Sequence, residues 1–471
     1  MTLPRSAGID AQLVHIQNAL RHYAARRCPA RRLPTELWDL IFQYAVSATP
    51  EPSLMQPPLN ASQVSRRWRA IALSSRRLWA GLAVTVTQRH TSDSRALEAL
   101  HKIVGTWLAR AGRRPLAICL AQGEDIKDTS PVSHLLDTVL RQCSAQILSL
   151  SLQAPETCLF PLASYTEYLP LLEHFSVQSS FWPHLTAPKL VLPLSVEQTP
   201  RLHALTLYSS PFDVLPSTDV TQLTSITLLP STGAPGHLFL SADDVLDCLA
   251  SAPHLHTARF ALNDFMPTRL TLVRAGLLRV LRLEFRDSVP ASTNGQLRGT
   301  RIGALLSLLY APELQRFALR DRAKPGAGAW AWPQAQFLAF LSTTPFLQAL
   351  HLIHLPLYET QIIECLRRLP LVRHLVLEAR AGKGSQRNVG DVLLRALTVG
   401  SGATLADALH TLEFRHCGKR CTEQALISMV DSRLVLGRLG YLCVHRSAGP
   451  SPELVSKLAA WRLTAMVDVV Y

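Results

Sequence analysis

The chain has 471 residues, 48% of them hydrophobic and only 17% charged, a balance that permits large buried cores and excludes global disorder. Its formal charge of +14 would suit a nucleic acid or an acidic partner. The cations are spread along the chain without a block of five or six in a row, which is the pattern of a solvated surface and argues against nucleic-acid binding.

Residues 9–25 are predicted helical, with Leu13, Val14, Ile16, Leu20 and Tyr23 mostly on one face and Pro29 ending or following the helix. Leu33, Leu37, Leu40, Ile41 and Tyr44 then recur at i, i+4, i+7, i+8 and i+11, one apolar stripe of a second helix. Pro34 suits its first turn and Glu36 its positive end. Residues 47–58 are rich in Pro, Ser and Thr and read as a loop. Val64, Trp68, Ile71 and Ala72 repeat the helical stripe, and Leu78, Trp79 and Leu82 form a third anchor. Three short helices bury little by themselves, so such a module needs a partner or the following domain.

Residues 83–87 read as a strand, 95–111 as a helix and 115–120 as a strand, which makes 83–144 a junction. From residue 145 onward a unit Pro-x-Leu-x-x-φ-x-φ recurs, φ being apolar. Copies with Pro begin at Pro170, Pro200, Pro253, Pro312, Pro345 and Pro370, and copies without it near Ala145, Thr221, Gly276, Asp407 and Gly437. Eleven copies span residues 145–444 at about 29 residues each, the upper end of the leucine-rich-repeat period. Segments 241–249, 302–310, 334–341, 358–368, 391–398 and 422–430 read as helices between them. Strand after helical crossover after strand predicts a parallel sheet stacked as a curved solenoid; an ordinary α/β domain with Leu-rich strands is the competing reading. The Asn or Cys expected three residues after the last φ is present only at Asn263 and Cys417. Ser180, Ser210, Arg286, Arg322, Leu355 and Arg380 stand elsewhere, so irregular loops are expected, as are Gly/Pro-rich insertions at 321–333 and 381–390.

No phosphate-binding Gly motif, nucleophile elbow or His-Glu-x-x-His occurs, and the expectation is a non-enzyme without cofactor or metal. His416, Cys417 and Cys421 raise a metal question, but no second ligand pair lies nearby in sequence. The nine cysteines otherwise read as reduced, buried small side chains. Among histidines the closest pairs are His254/His256 and His351/His354, and in the repeat register His256 and His351 read as surface-facing. Asp243 and Asp244 read as helix caps. No apolar run of about 18 residues is present, so no membrane span is expected. With no secretory-type leader after Met1, the expected location is cytoplasmic and/or nuclear.

The Leu33-Pro34 opening, the helix ending in Ile41-Phe42, the Val64-x-Arg66-x-Trp68 helix and the Leu78-Trp79 close resemble an F-box. With the degenerate C-terminal repeats, the chain resembles the F-box family of mushroom-forming fungi. The organisation implied is an N-terminal helix at 1–28, an F-box of three helices at 29–82, the junction at 83–144 and a leucine-rich-repeat-like solenoid at 145–471. Ser65 replaces the family's usual Cys, and the 47–60 loop is longer than usual. The resemblance implies a substrate-receptor subunit of a Skp–cullin–F-box ubiquitin ligase. Leu33, Pro34, Leu37, Ile41, Phe42, Val64 and Trp68 would bind the Skp-type adaptor, with Trp68 a hot spot. A ligase-independent scaffold is the alternative.

In such a repeat the residues flanking φ line the concave face. Here they include Tyr208, Arg259, Arg282, Glu284, Arg316, Arg320, His351, His374, Glu378, Arg415 and Tyr441. The balance is basic and aromatic, which suits an acidic or phosphorylated protein segment. A solvated sheet face without a ligand is the other reading.

Overall fold

The computed structural model describes residues 15–17, 32–123, 126, 128–155, 158, 161–162, 165, 168–178, 194–208, 220–229, 240–263, 266–286, 295–322, 330–379, 389–400, 405–416, 421–445 and 451–470. Two compact units divide the chain, residues 1–121 and 122–471. Residues 15–17 are helical; the rest of the 9–25 prediction lies outside the described residues, as do Cys28, Ser180, Ser210, Arg380, Cys417 and most of both Gly/Pro-rich insertions.

In the first unit, α1 (Thr35–Ala45) follows Pro34, which stands just outside the helix at its cap rather than within its first turn. The predicted single helix through Val64 and Trp68 is two: α2 (Ala61–Val64) and α3 (Arg66–Ser74). Ser65 divides them. Its backbone is extended, with φ −158°, and its Oγ accepts the Trp68 N–H at 3.1 Å, so it caps α3 instead of continuing α2. Trp38 and Phe42 of α1 turn inward onto Trp68, with ring centroids 4.3 and 5.0 Å from it. A 3₁₀ turn, Arg76–Trp79, follows and buries Leu78 and Trp79 completely. The Trp79 indole donates to Ala72 O at 2.8 Å. Next come β1 (Gly81–Val86), α4 (Gln88–Ser92), α5 (Ser94–Ala111) and β2 (Leu116–Gln122). Trp107 of α5 packs edge-on against Trp79 and donates to Gly81 O at 2.8 Å. Gly112, at φ +64°, ends α5 in the left-handed region that glycine adopts without strain.

The second unit is a parallel sheet with helical crossovers. Its elements are α6 (Ser130–Cys143), β3 (Ile147–Gln153), β4 (His174–Gln178), β5 (Ala204–Tyr208), β6 (Ser225–Leu229), α7 (Ala242–Ser251), β7 (Thr257–Asn263), β8 (Val273–Arg274), β9 (Val280–Arg286), α8 (Gly295–Ser307), β10 (Leu309–Tyr310), β11 (Arg316–Asp321), α9 (Gln334–Ser342), β12 (Ala349–Ile353), α10 (Glu359–Arg367), β13 (His374–Glu378), α11 (Asp391–Leu397), β14 (Thr411–Arg415), α12 (Glu423–Val435), β15 (Tyr441–His445), α13 (Pro452–Trp461) and β16 (Met466–Val470). From β3 to β16, with β8 and β10 set aside as a separate pair, each strand is hydrogen-bonded to the next in chain order. The ladders are parallel and the register holds: Phe317, Leu350, Leu375, Leu412 and Leu442 form one buried row, and Leu319, Leu352, Leu377, Phe414 and Val444 another. The recurring φ-x-φ is therefore the pleat, with both φ positions turned to the core.

Each of the eleven predicted copies supplies one strand of this sheet. A twelfth strand, β16, and its helix α13 lie beyond the predicted repeats, because Thr464 stands where the repeat has its first Leu. The 302–310 helix prediction is corrected at its C-terminal end: α8 ends at Ser307, and Leu309–Tyr310 pair with β8. Asp244 caps α7 as expected, accepting the Ser241 N–H at 2.8 Å. Asp243 instead reaches a loop, accepting from the Thr268 and Arg269 backbone N–H groups at 2.9 and 3.1 Å. Burial opposes its charge, but these bonds prevail and hold its carboxyl below the usual range.

Without an Asn ladder, one turn is held by an arginine. Arg433 of α12 is fully buried. It donates to the carbonyls of Leu397, Leu405, Ala406 and Leu409 at 2.8 to 3.4 Å, filling the segment between α11 and β14. Burial lowers its pKa to about 10, so it remains a cation at neutral pH. Burial likewise pushes the thiols of Cys158, Cys248 and Cys365 up to about 12, as expected of inert core cysteines. No helix among the described residues is long and apolar enough to cross a membrane.

Candidate functional site

The residues predicted for the adaptor surface separate into two sets. Leu37 and Ile41 are each 44% exposed, and with Leu40 and Tyr44 they form an apolar stripe along one side of α1 that no described residue of this unit covers. Val64, at the end of α2, is 62% exposed, Pro34 is exposed and Leu33 half-buried. Phe42 belongs to the other set, and its assignment as a surface contact is corrected. It is only 3% exposed, because it sits on the opposite side of α1 and stacks with Trp38 and Trp68. Trp68 is half-buried in the same aromatic cluster, so its ring is engaged mainly inside the unit. Leu40 and Tyr44 belong to the periodicity but not to the predicted site. Their exposure makes them part of the stripe.

The α1 stripe is held in place from behind. Arg67 of α3 donates to Leu33 O at 2.6 Å, tying the start of α3 to the segment leading into α1. Arg69 donates to Ser62 O at 2.8 Å and so joins the two sides of the Ser65 break. The aromatic cluster fixes the rotation of α1. With Trp38 and Phe42 inward, residues 37, 40, 41 and 44 must face out, since they lie on the opposite side of a 3.6-residue turn.

On the sheet of the second unit, the predicted target-binding residues lie between or beside the buried rows. The register places Arg259 beside Arg282, and Arg320 beside Glu284. Arg316 and Arg320 flank the buried pair of β11, His351 lies on β12, His374 on β13 and Arg415 on β14. These side chains share one neighbourhood on β7 to β14. Tyr208 does not join them, because β6 and β7 lie between β5 and β9 in the sheet.

This face neutralises much of its own charge. Glu284 is buried between Arg282, at 2.6 Å, and Arg322. Glu378 meets His354 at 3.0 Å and Arg415 at 3.9 Å, and Glu413 meets His374 at 3.4 Å and Arg415 at 2.6 Å. The hydrogen bond from His354 holds the Glu378 carboxyl below its ordinary range. Among the described residues, Arg259, Arg316 and Arg320 make no ion pair within 4 Å, and the Arg320 Nε is buried without a hydrogen-bond partner. The uncommitted positive charge is thus narrower than the sequence list.

His351 corrects the surface-facing expectation. It is partly buried against His374, with ring centroids 4.9 Å apart. Burial, followed by the charges of His374, Arg282 and Arg316, lowers its pKa from 6.5 to about 4, so it is neutral at physiological pH. Arg322, His354 and Glu413 join the site without having been expected there. His354 follows β12 with a left-handed backbone, φ +60°, a conformation that strand alternation cannot foresee. The Glu413 position was legible, since it shares the strand row of His351.

Residues 30–84 match the family model described as F-box-like, which spans α1, α2, α3 and the 3₁₀ turn. No curated protein matches the chain. The first unit thus carries an F-box-like domain, a protein-interaction module, and the chain couples it in sequence to a mixed α/β region with a large parallel sheet.

Proposed function

We propose that this chain is a non-catalytic substrate receptor of a Skp–cullin–F-box ubiquitin ligase, acting in the cytoplasm and/or nucleus. The observation that carries the reading is the outward apolar stripe Leu37, Leu40, Ile41 and Tyr44 on α1, inside the F-box-like match. An exposed aliphatic stripe on a helix whose other side is pinned by aromatics is what a helix-in-groove contact uses. A Skp-type adaptor would bury it and link the chain to a cullin. The β3–β16 array, with one strand per repeat and helices between strands, supports a degenerate leucine-rich-repeat solenoid as the target-binding part.

On the sheet face, Arg259, Arg316 and Arg320 are the residues free to meet an acidic or phosphorylated segment of the target, since Arg282, His374 and Arg415 already face carboxylates. If captured targets stay bound to Arg316→Ala/Arg320→Ala, this part fails.

Co-purification with a Skp-type adaptor tests the main reading. The wild-type chain is expected to hold the adaptor, and Leu37→Asp/Ile41→Asp to release it while staying folded. A wild-type chain that folds and captures protein targets without binding any Skp-type adaptor would move the conclusion to a ligase-independent scaffold.

A further inference from the structure

Among the described residues, three pairs of histidine rings meet across neighbouring strands, His174/His203, His351/His374 and His416/His445. His174 and His203 are 29 positions apart, one repeat, and stand at the starts of the neighbouring strands β4 and β5 with ring centroids 4.7 Å apart. Glu173 completes the group: one ligand atom from each of the three lies within 4.8 Å of the others. We propose that Glu173, His174 and His203 form a binding site for a zinc-class divalent transition metal ion.

Three observations support a site over a chance meeting. First, the backbone fixes the ligands. Glu173 O accepts both the His203 and Ala204 N–H groups at 3.1 Å, and the Glu173 N–H donates to Leu148 O at 2.8 Å, so Glu173 and His203 are held side by side across one ladder rung. Second, the His203 ring is already oriented. Its Nδ1 is 3.2 Å from Arg201 O, which as an acceptor requires the proton on Nδ1 and leaves the Nε2 lone pair free. A second ring nitrogen donating to a backbone carbonyl is how metal-ligating histidines are usually held. Third, the carboxylate is uncommitted: among the described residues no hydrogen bond or ion pair engages it, unlike those of Glu284, Glu378 and Glu413 on the same sheet.

The donor set selects the metal. Two imidazoles and one carboxylate suit zinc and its first-row neighbours; they are too nitrogen-rich for calcium or magnesium and lack the thiolates that favour copper(I). Ligand atoms on one ion at about 2.1 Å must approach more closely than 4.8 Å. The His174 side chain is exposed and has room to turn toward the other two donors. Three protein ligands leave a fourth position for water.

The test uses the full-length chain, stripped with a chelator and titrated with zinc chloride against a chromophoric competitor, and separately with cobalt(II). One zinc per chain is expected, and the cobalt form should show visible d–d bands without a sulfur-to-metal charge-transfer band. His174→Ala/His203→Ala should weaken zinc binding at least about tenfold with the circular dichroism unchanged, and Glu173→Gln should weaken it less. The His416/His445 pair, with centroids 5.5 Å apart, serves as control, and its double alanine variant should bind zinc as wild type does. Absence of zinc binding at about 100 µM, undiminished binding in His174→Ala/His203→Ala, loss in the control variant, or a thiolate charge-transfer band would each overturn the proposal.

Discussion

The two units treat apolar side chains in opposite ways. On the sheet, the residues that define the repeat are inside: Leu350 and Leu352 are fully buried, and the position between them carries His351. On α1 the residues that define the stripe are outside, and the core is made by Trp38 and Phe42, which lie off it. A periodic apolar pattern therefore marks one face of an element, but not whether that face turns inward. In the sheet the chain covers its own pattern with strands and helices. On α1 the stripe stays exposed among the described residues, and the helix is anchored by Trp38 and Phe42 on its other side.

The largest expected effect falls on the sheet unit. Arg433→Met keeps the bulk of a buried side chain but leaves four turn carbonyls without their donor. At about 1 kcal/mol or more for each unsatisfied buried group, a loss of about 4 kcal/mol is expected in denaturant unfolding of the full chain. A change under about 1 kcal/mol would mean that the turn is satisfied some other way.

The contrast within α1 comes next. Phe42→Ala should cost about 3 kcal/mol of stability, the low end for a buried aromatic in a small core. Leu37→Asp/Ile41→Asp should change stability by less than about 0.5 kcal/mol, as for exposed positions, while lowering adaptor affinity about 100-fold. Trp68→Ala is a poor probe of the interface, because it removes a ring packed on both Trp38 and Phe42. If Phe42→Ala leaves the melting temperature unchanged and Leu37→Asp/Ile41→Asp lowers it, the inside and outside of α1 are reversed.

The polar positions of the sheet should respond to acid. In the folded chain His351 resists protonation until about pH 4, whereas an unfolded histidine protonates near 6.5. The unfolded state thus binds more protons across that window, and the stability present above pH 6.5 is lost as pH falls toward 4. The lowered Glu378 carboxyl acts in the same direction at lower pH. His351→Asn should flatten the decline measured by urea midpoints between pH 7 and pH 5, leaving the steeper acid limb in place. An unchanged slope would show that His351 is solvated in the folded chain.

How much of this was legible follows from the range of each interaction. The strands could be read because the pleat is local: a Leu-x-x-φ-x-φ segment carries its own alternation and recurs. The twelfth strand escaped when Thr464 replaced the Leu that flags the segment. Helix existence could be read from spacing, but which side of α1 is inside could not. Periodicity gives the stripe, and only the contact with Trp68, some 26 to 30 residues away, shows that the two aromatics off the stripe make the core. The sheet's side-chain partners were least legible. Arg282, His374 and Arg415 read as available cations, yet each meets a carboxylate placed by register rather than by sequence distance.

The smallest effect isolates one departure from the F-box pattern. Ser65 stands where the motif usually has Cys, and here its hydroxyl serves the backbone, since Oγ accepts the Trp68 N–H and starts α3 at Arg66. A thiol is a weak acceptor, so Ser65→Cys should weaken this cap, and Ser65→Ala should remove it at about 1 kcal/mol. Both residues are small and position 65 is exposed, so packing changes little and the cap is what the pair measures. Stability falling in the order Ser, Cys, Ala would show that the break between α2 and α3 is capped by this hydroxyl. Equal stability in all three would mean that the Trp38–Phe42–Trp68 cluster alone sets the angle between the helices, and that the stripe on α1 is positioned entirely from the aromatic side.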